Sequence, residues 1–109
     1  MGRDSLGEFE QLVLLAILRL SDEAYGVSIV HEIEARTGRA VSRAAVYIAL
    51  RRLRHKSLVS SRLADPTPER GGRAKRYFSV RPAAINQLRE SRTALTRMWH
   101  GLSAILDKQ

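Results

Sequence analysis

Arg43, Tyr47, Arg51 and Arg54 recur at intervals of three and four residues within "SRAAVYIALRRLRHK", a spacing that sets them along one side of an α-helix. Guanidiniums in such a row serve recognition. Each donates a fixed fork of hydrogen bonds to phosphate oxygens or to the acceptor edge of a guanine, and the phenol adds one more polar group. Val46, Ala49, Leu50 and Leu53 take another side of the same helix, so it has a face to bury as well as one to offer. Ser42 is a good N-cap, and the helix is expected to run from there to about Lys56. Ser42 can combine that cap with a phosphate contact. Arg43 and Tyr47 fall in the N-terminal outward part, where base edges or nearby phosphates are met, although a half-buried packing role is also open to Tyr47. Arg51 and Arg54 come later and suit phosphates, which need no strict register. Arg52 points elsewhere, toward solvent.

Other chemistries find less support. His31, His55 and His100 are scattered without the spacing of metal ligands, and the chain has no cysteine, so neither a metal site nor a thiol nucleophile is expected. The acidic pairs Glu8/Glu10, Asp22/Glu23 and Glu32/Glu34 have no nucleophile or glycine-rich phosphate loop beside them. The expectation is a binding protein, with no enzymatic activity and no cofactor.

The charge distribution agrees. Of 109 residues, 44% are hydrophobic and 28% charged, with a net charge of +8. Thirteen of the 19 basic residues lie between Arg36 and Arg81, against two of the 11 acidic ones. Such a skew is the footprint of a polyanion-binding surface, and its bland alternative is a solvated basic face. The start "MGRDSLGEFEQ" has no secretory-signal pattern, and no apolar run reaches the roughly 18 residues of a membrane span. A cytoplasmic protein without a membrane partner is expected.

The elements that must position the basic helix are legible in outline. Ser5 and Glu8 stand at capping-box spacing before a helix over about 6–20. Its stripe of Phe9, Leu12, Val13, Ala16, Ile17 and Leu20 is widened by Leu14, Leu15 and Leu18 until most of the circumference is apolar, which predicts cover on more than one side. "VSIVHEIEARTG" reads as a second helix ended by Gly38. "LVSSRLA" and "KRYFSV" read as strands joined through "DPTPERGGR", a hairpin with a long basic tip. There Arg70, Arg73 and Lys75 offer charge, and Gly71 and Gly72 would let the backbone approach a phosphate or the minor groove. Tyr77 and Phe78 must face opposite ways, one of them inward. Pro82 suits the first turn of a last helix expected to continue to about Asp107, interrupted only by Gly101. Along it Ile85, Leu88, Leu95, Trp99, Leu102 and Leu106 follow a three-four spacing, a seam suited to a second copy of the chain.

Three helices and a hairpin make a mainly α fold, a winged helix-turn-helix over residues 1–81, with residues 82–109 as a long C-terminal dimerisation helix packed into one compact unit. The four-residue "GRAV" suits the turn of the motif. The chain also resembles the PadR family of bacterial transcriptional regulators. The likeness lies in "EFEQLVLLAIL", the "YG" of "AYGVSIVHEIE", "AVYIALRRLRHKSLV", the wing "GGRAKRYF" and the tryptophan-bearing last helix. It extends from about Gly7 to Leu106 and is closest to the shorter branch of the family. The chain departs from the family pattern at Ile48, where a proline is common, at Ser57 in place of a glycine, and at Arg81 in place of a threonine. Ser57 would need the left-handed conformation that glycine adopts cheaply.

The resemblance implies a homodimeric repressor of an inverted-repeat promoter operator in double-stranded DNA, in many members released by a small aromatic or lipophilic effector. In that setting Trp99 has two roles open to it. It packs the dimer interface, or with Phe9, Leu12, Leu95 and Met98 it lines a cavity between subunits for a flat apolar ligand. Two further readings use the same residues: a basic winged helix bound to RNA or the ribosome without base readout, and an interaction module whose last helix docks on another protein.

Overall fold

A computed structural model describes residues 6–64 and 74–107. Its elements are α1 (Glu8–Leu20), a 3-10 turn (Ser21–Glu23), α2 (Gly26–Thr37), α3 (Arg43–His55), β1 (Val59–Leu63), β2 (Arg76–Val80), α4 (Pro82–Trp99) and α5 (Ser103–Asp107). Ser5, Arg70, Gly71, Gly72 and Arg73 lie outside the described residues, and with them the expected Ser5–Glu8 cap and the tip of the wing. Among the described residues, no helix is long and apolar enough to cross a membrane.

The apolar periodicity of the first three helices becomes one core. Val13, Leu14 and Ile17 of α1, Ile29 and Ile33 of α2 and Val46, Leu50 and Leu53 of α3 are all buried. α1 is the centre of the packing, in contact with α2, α3 and β2. Its helix begins after Gly7, whose N–H donates to the Glu10 carboxylate at 3.3 Å. Glu8 turns away and pairs with Arg39 instead. Leu15 and Leu18, on the far side of α1, remain half exposed.

Three hydrogen bonds hold the turn between α2 and α3. Gly38 adopts φ 75° and donates its N–H to the Glu34 carbonyl at 2.9 Å. The Arg39 N–H reaches Thr37 Oγ1, and the Val41 N–H reaches the Glu34 carboxylate, each at 3.0 Å. Ser42 Oγ accepts the Ala45 N–H at 3.0 Å, the N-cap read from the sequence.

At the other end of α3 the Leu58 N–H closes on the Leu53 carbonyl at 2.9 Å, with Ser57 at φ 62° between them. Such a helix end asks for a left-handed residue, which costs a non-glycine about 1–2 kcal/mol. The serine accepts that strain to turn the chain directly into β1.

The hairpin is antiparallel, with Val59 opposite Val80 and Leu63 opposite Arg76. Phe78 is the inward member of the Tyr77–Phe78 pair, and its N–H donates to the Ala24 carbonyl at 2.8 Å. The wing is thereby bonded to the connector before α2 as well as to itself.

Pro82 occupies the first turn of α4, as expected. The long continuous helix to Asp107 does not form. α4 ends at Trp99, His100 is extended, Gly101 takes φ 83°, and only the short α5 follows. Ala84 is the one buried residue of α4, so most of this helix stands clear of the core.

Candidate nucleic-acid interface

The buried residues of α3 leave much of its circumference to solvent, and Ser42, Arg43, Tyr47, Arg51 and Arg54 are all exposed there. Tyr47 does more than point outward. A Cβ placed on Gly26 would run into its hydroxyl and ring, so the phenol lies against the first turn of α2 while keeping 46% of its surface free. The packing and outward readings of this tyrosine both describe part of its surroundings.

The ion pairs among the described residues lie off this face. The acidic side chains near the three-helix core neutralise other cations: Glu8 takes Arg39 through two bonds of 3.0 and 3.2 Å, Glu32 takes Arg36 at 3.0 Å, and Glu10 takes Lys56 at 3.2 Å. The Arg39 guanidinium, by hydrogen bonding first and charge second, holds the Glu8 carboxyl below the usual carboxylate range. Glu10 is nearly buried, and Lys56 at the end of α3 is its counter-charge. Among the described residues, Arg43, Arg51 and Arg54 meet no carboxylate. Clustered like charges without internal partners raise a positive potential that a polyanion relieves.

At the base of the wing two tyrosines meet edge to face, Tyr25 and Tyr77, with ring centres 5.5 Å apart. Lys75 Nζ sits 3.9 Å from the centre of the Tyr25 ring, and the Arg62 guanidinium 4.9 Å from that of Tyr77. Lys75 is thus held by an aromatic face, a favourable arrangement for a cation. Tyr25, Arg62 and Tyr77 escaped sequence reasoning, because their proximity follows from the Arg62–Tyr77 strand register and from the bridge of Tyr25 to Tyr77.

The apolar residues of the last helix divide. Ile85, Leu88, Leu95 and Trp99 line a groove of about 450 Å³ against Gln11, Leu15 and Leu18 of α1, with Arg89 and Arg92 on its border. Within one chain Phe9 and Leu12 do not line this groove. Phe9 lines a surface pocket with Ala45 and Ile48, and Leu12 lines another with Leu15, Ala16 and Ile33. Leu15 lies between the two surfaces, lining both the groove beneath α4 and the pocket that holds Leu12. Met98 projects into solvent, 75% exposed. Leu102 and Leu106 follow the break at Gly101, so they do not continue the helical seam of Ile85–Trp99.

A helix-turn-helix with a basic third helix, flanked by a two-stranded wing, defines a winged-helix protein with a surface suited to a polyanion. The PadR-like family of transcriptional regulators matches residues 14–90, and the chain belongs to that family, whose members are non-enzymatic DNA-binding regulators. No curated protein matches the sequence. Among solved structures, the chain is similar to a PadR family transcriptional regulator from Eggerthella lenta, at 24% identity over 94% of this chain and 88% of that one, with a TM-score of 0.67. It is also similar to a PadR-like transcriptional regulator from Bacillus cereus, at 18% identity over 93% of each chain, with a TM-score of 0.72. A PadR family transcription regulator from Clostridium difficile aligns at 18% identity over 92% of this chain and 96% of that one, with a TM-score of 0.64. At these identities the likeness is one of fold.

Proposed function

We propose that the chain is a homodimeric repressor that binds an inverted repeat in promoter DNA. α3 is its major-groove helix, with Arg43 and Tyr47 toward base edges and Arg54 toward a phosphate; Arg51 supplies charge to the centre of the helix. Ser42, Lys75 and the wing-tip residues Arg70, Gly71, Gly72 and Arg73 flank the duplex. The observation that carries this reading is that Arg43, Arg51 and Arg54 have no carboxylate partner among the described residues, while Arg36, Arg39 and Lys56 around them do.

Residues 82–109 form the dimerisation segment in this reading. α4 buries only Ala84, and it exposes Leu95 and Trp99, surface that a second copy of the chain would cover. A two-fold dimer would set two α3 helices about 34–36 Å apart, one turn of duplex. The groove between α1 and α4 is the site for a flat, apolar or aromatic effector, with Trp99 as its stacking wall and Arg89 and Arg92 at its polar border.

The test is fluorescence anisotropy of the full chain with its own upstream DNA and with a scrambled duplex of equal length, over a range of salt. Preference for the upstream duplex that survives moderate salt is the expected result. Equal, salt-fragile binding to both would overturn the repressor reading, and tighter binding to structured RNA would replace it.

A further inference from the structure

The outermost side of α3 is not wholly basic. At about 100° per residue, Ala44, Ile48, Arg51 and His55 stand roughly 150–170° from the centre of the buried face made by Val46, Ala49, Leu50 and Leu53. All four are exposed. Arg43, Tyr47 and Arg54 flank this stripe on the side of α2, where Tyr47 meets Gly26. Ile48 lines an open pocket with Phe9, Ala45 and Ala49, and with Glu8 and Glu10, whose carboxylates are paired with Arg39 and Lys56, yet leaves 47% of its surface to solvent. A branched aliphatic group thus projects beside Arg51 on the outermost side of a helix whose arginines call for a polyanion. Charge complementarity points to duplex DNA as its occupant, and the major groove offers an aliphatic side chain one apolar partner, the 5-methyl group of thymine.

We propose that Ile48 is a specificity-determining residue that reads a thymine methyl in each half-site; this rests on the reading of α3 as the major-groove helix. Ala44 lies four residues earlier, about 6 Å along the helix axis, close to two base-pair steps of roughly 3.4 Å. Its single methyl lets the groove floor come close on that side, so that Ile48 is the first aliphatic group to reach a base. Contact removes water from both apolar surfaces, and the pair discriminates thymine from cytosine without a hydrogen bond.

Uracil provides the test, because it keeps every hydrogen-bonding group of thymine and lacks only the methyl. The full chain is used to select duplexes from a random-sequence pool, and each thymine of an enriched duplex is replaced in turn by deoxyuridine. The expected result is a loss of affinity of about three- to tenfold at one thymine per half-site. In Ile48→Ala the same replacement should have no effect. This variant keeps its fold because the site is exposed and alanine favours helix, which circular dichroism checks. Ile48→Val should retain part of the dependence.

Indifference to uracil at every thymine would overturn the inference and leave the regulator reading standing. Undiminished dependence in Ile48→Ala would also overturn it, assigning the methyl to another side chain. Failure of the wild-type chain to enrich any sequence would overturn the regulator reading, and Ile48 with it.

Discussion

The ring of Tyr47 on α3 occupies the space that Gly26, at the first turn of α2, leaves by having no side chain. The two helices of the motif are fitted to each other at this point, and the fit orients a side chain of the proposed DNA face. The "YG" pair therefore has a physical account. Tyr25 caps α2, its N–H bonded to Ser28 Oγ at 3.0 Å, and Gly26 admits the second ring.

Gly26→Ala should displace Tyr47 rather than unfold the domain. The atoms in the way are the far end of an exposed side chain, and alanine gains up to about 1 kcal/mol of helix propensity over glycine. Chemical denaturation should show a stability change within about 1 kcal/mol. Affinity for a selected duplex should fall clearly, as it should in Tyr47→Ala, and the two losses should not add.

Arg43 and Arg54 should be separable by what they cost. Arg54→Ala should weaken binding to all duplexes alike and lower the slope of log affinity against log salt by about 1. Arg43→Ala should reduce selectivity, by about 1–3 kcal/mol where the contact is to a guanine edge. Anisotropy titrations of specific and scrambled duplexes at several salt concentrations check both. Equal losses on the two duplexes for Arg43→Ala would remove it from base readout.

Lys56→Met should destabilise the chain more than its position at a helix end suggests. Glu10 is nearly buried, and without Lys56 its carboxylate keeps, among the described residues, only the Gly7 N–H as partner. A loss of about 1–3 kcal/mol in urea unfolding is expected. Glu10→Gln, which removes the buried charge while keeping an acceptor, should cost less. The opposite order would show that the pair adds little.

Leu18→Lys combined with Leu95→Lys should give a monomer, because both are half-exposed apolar side chains on the α1–α4 surface that a second copy would cover, and their exposure leaves the core intact. Sedimentation should show a single-chain mass with unchanged helical circular dichroism. A persistent dimer would move the interface to another face.

Glu8 should titrate below the usual carboxylate range and return to it in Arg39→Ala, as followed by NMR of its side chain. A lowered folded-state pKa means that the pair's contribution to stability is present above the ordinary carboxylate pKa and is lost as pH falls through the lowered value. Both side chains are exposed, so the contribution is small and added salt should shrink it further.

The sequence by itself determined the order of helices and hairpin, the buried face of α3, the Ser42 and Gly38 caps, and the basic row beside them. Those features depend on residues a few positions apart, whose relation along a helix or strand is set by local geometry. Even Ser57 was readable, since the helix end before β1 demands a left-handed residue whatever stands there. Tertiary structure decided what local spacing could not. It bonded the wing to Ala24, brought Lys75 and Tyr25 to the same stack as Arg62 and Tyr77, and paired Glu8 and Glu10 with cations 31 and 46 residues away. It also ended α4 at Trp99 and turned the Leu15–Leu18 side of α1, rather than Phe9 and Leu12, toward it. A helix with apolar residues nearly all round offers several faces of similar hydrophobicity. Which of them a later helix passes depends on the direction in which the hairpin delivers the chain, and that direction is set by contacts distant in sequence.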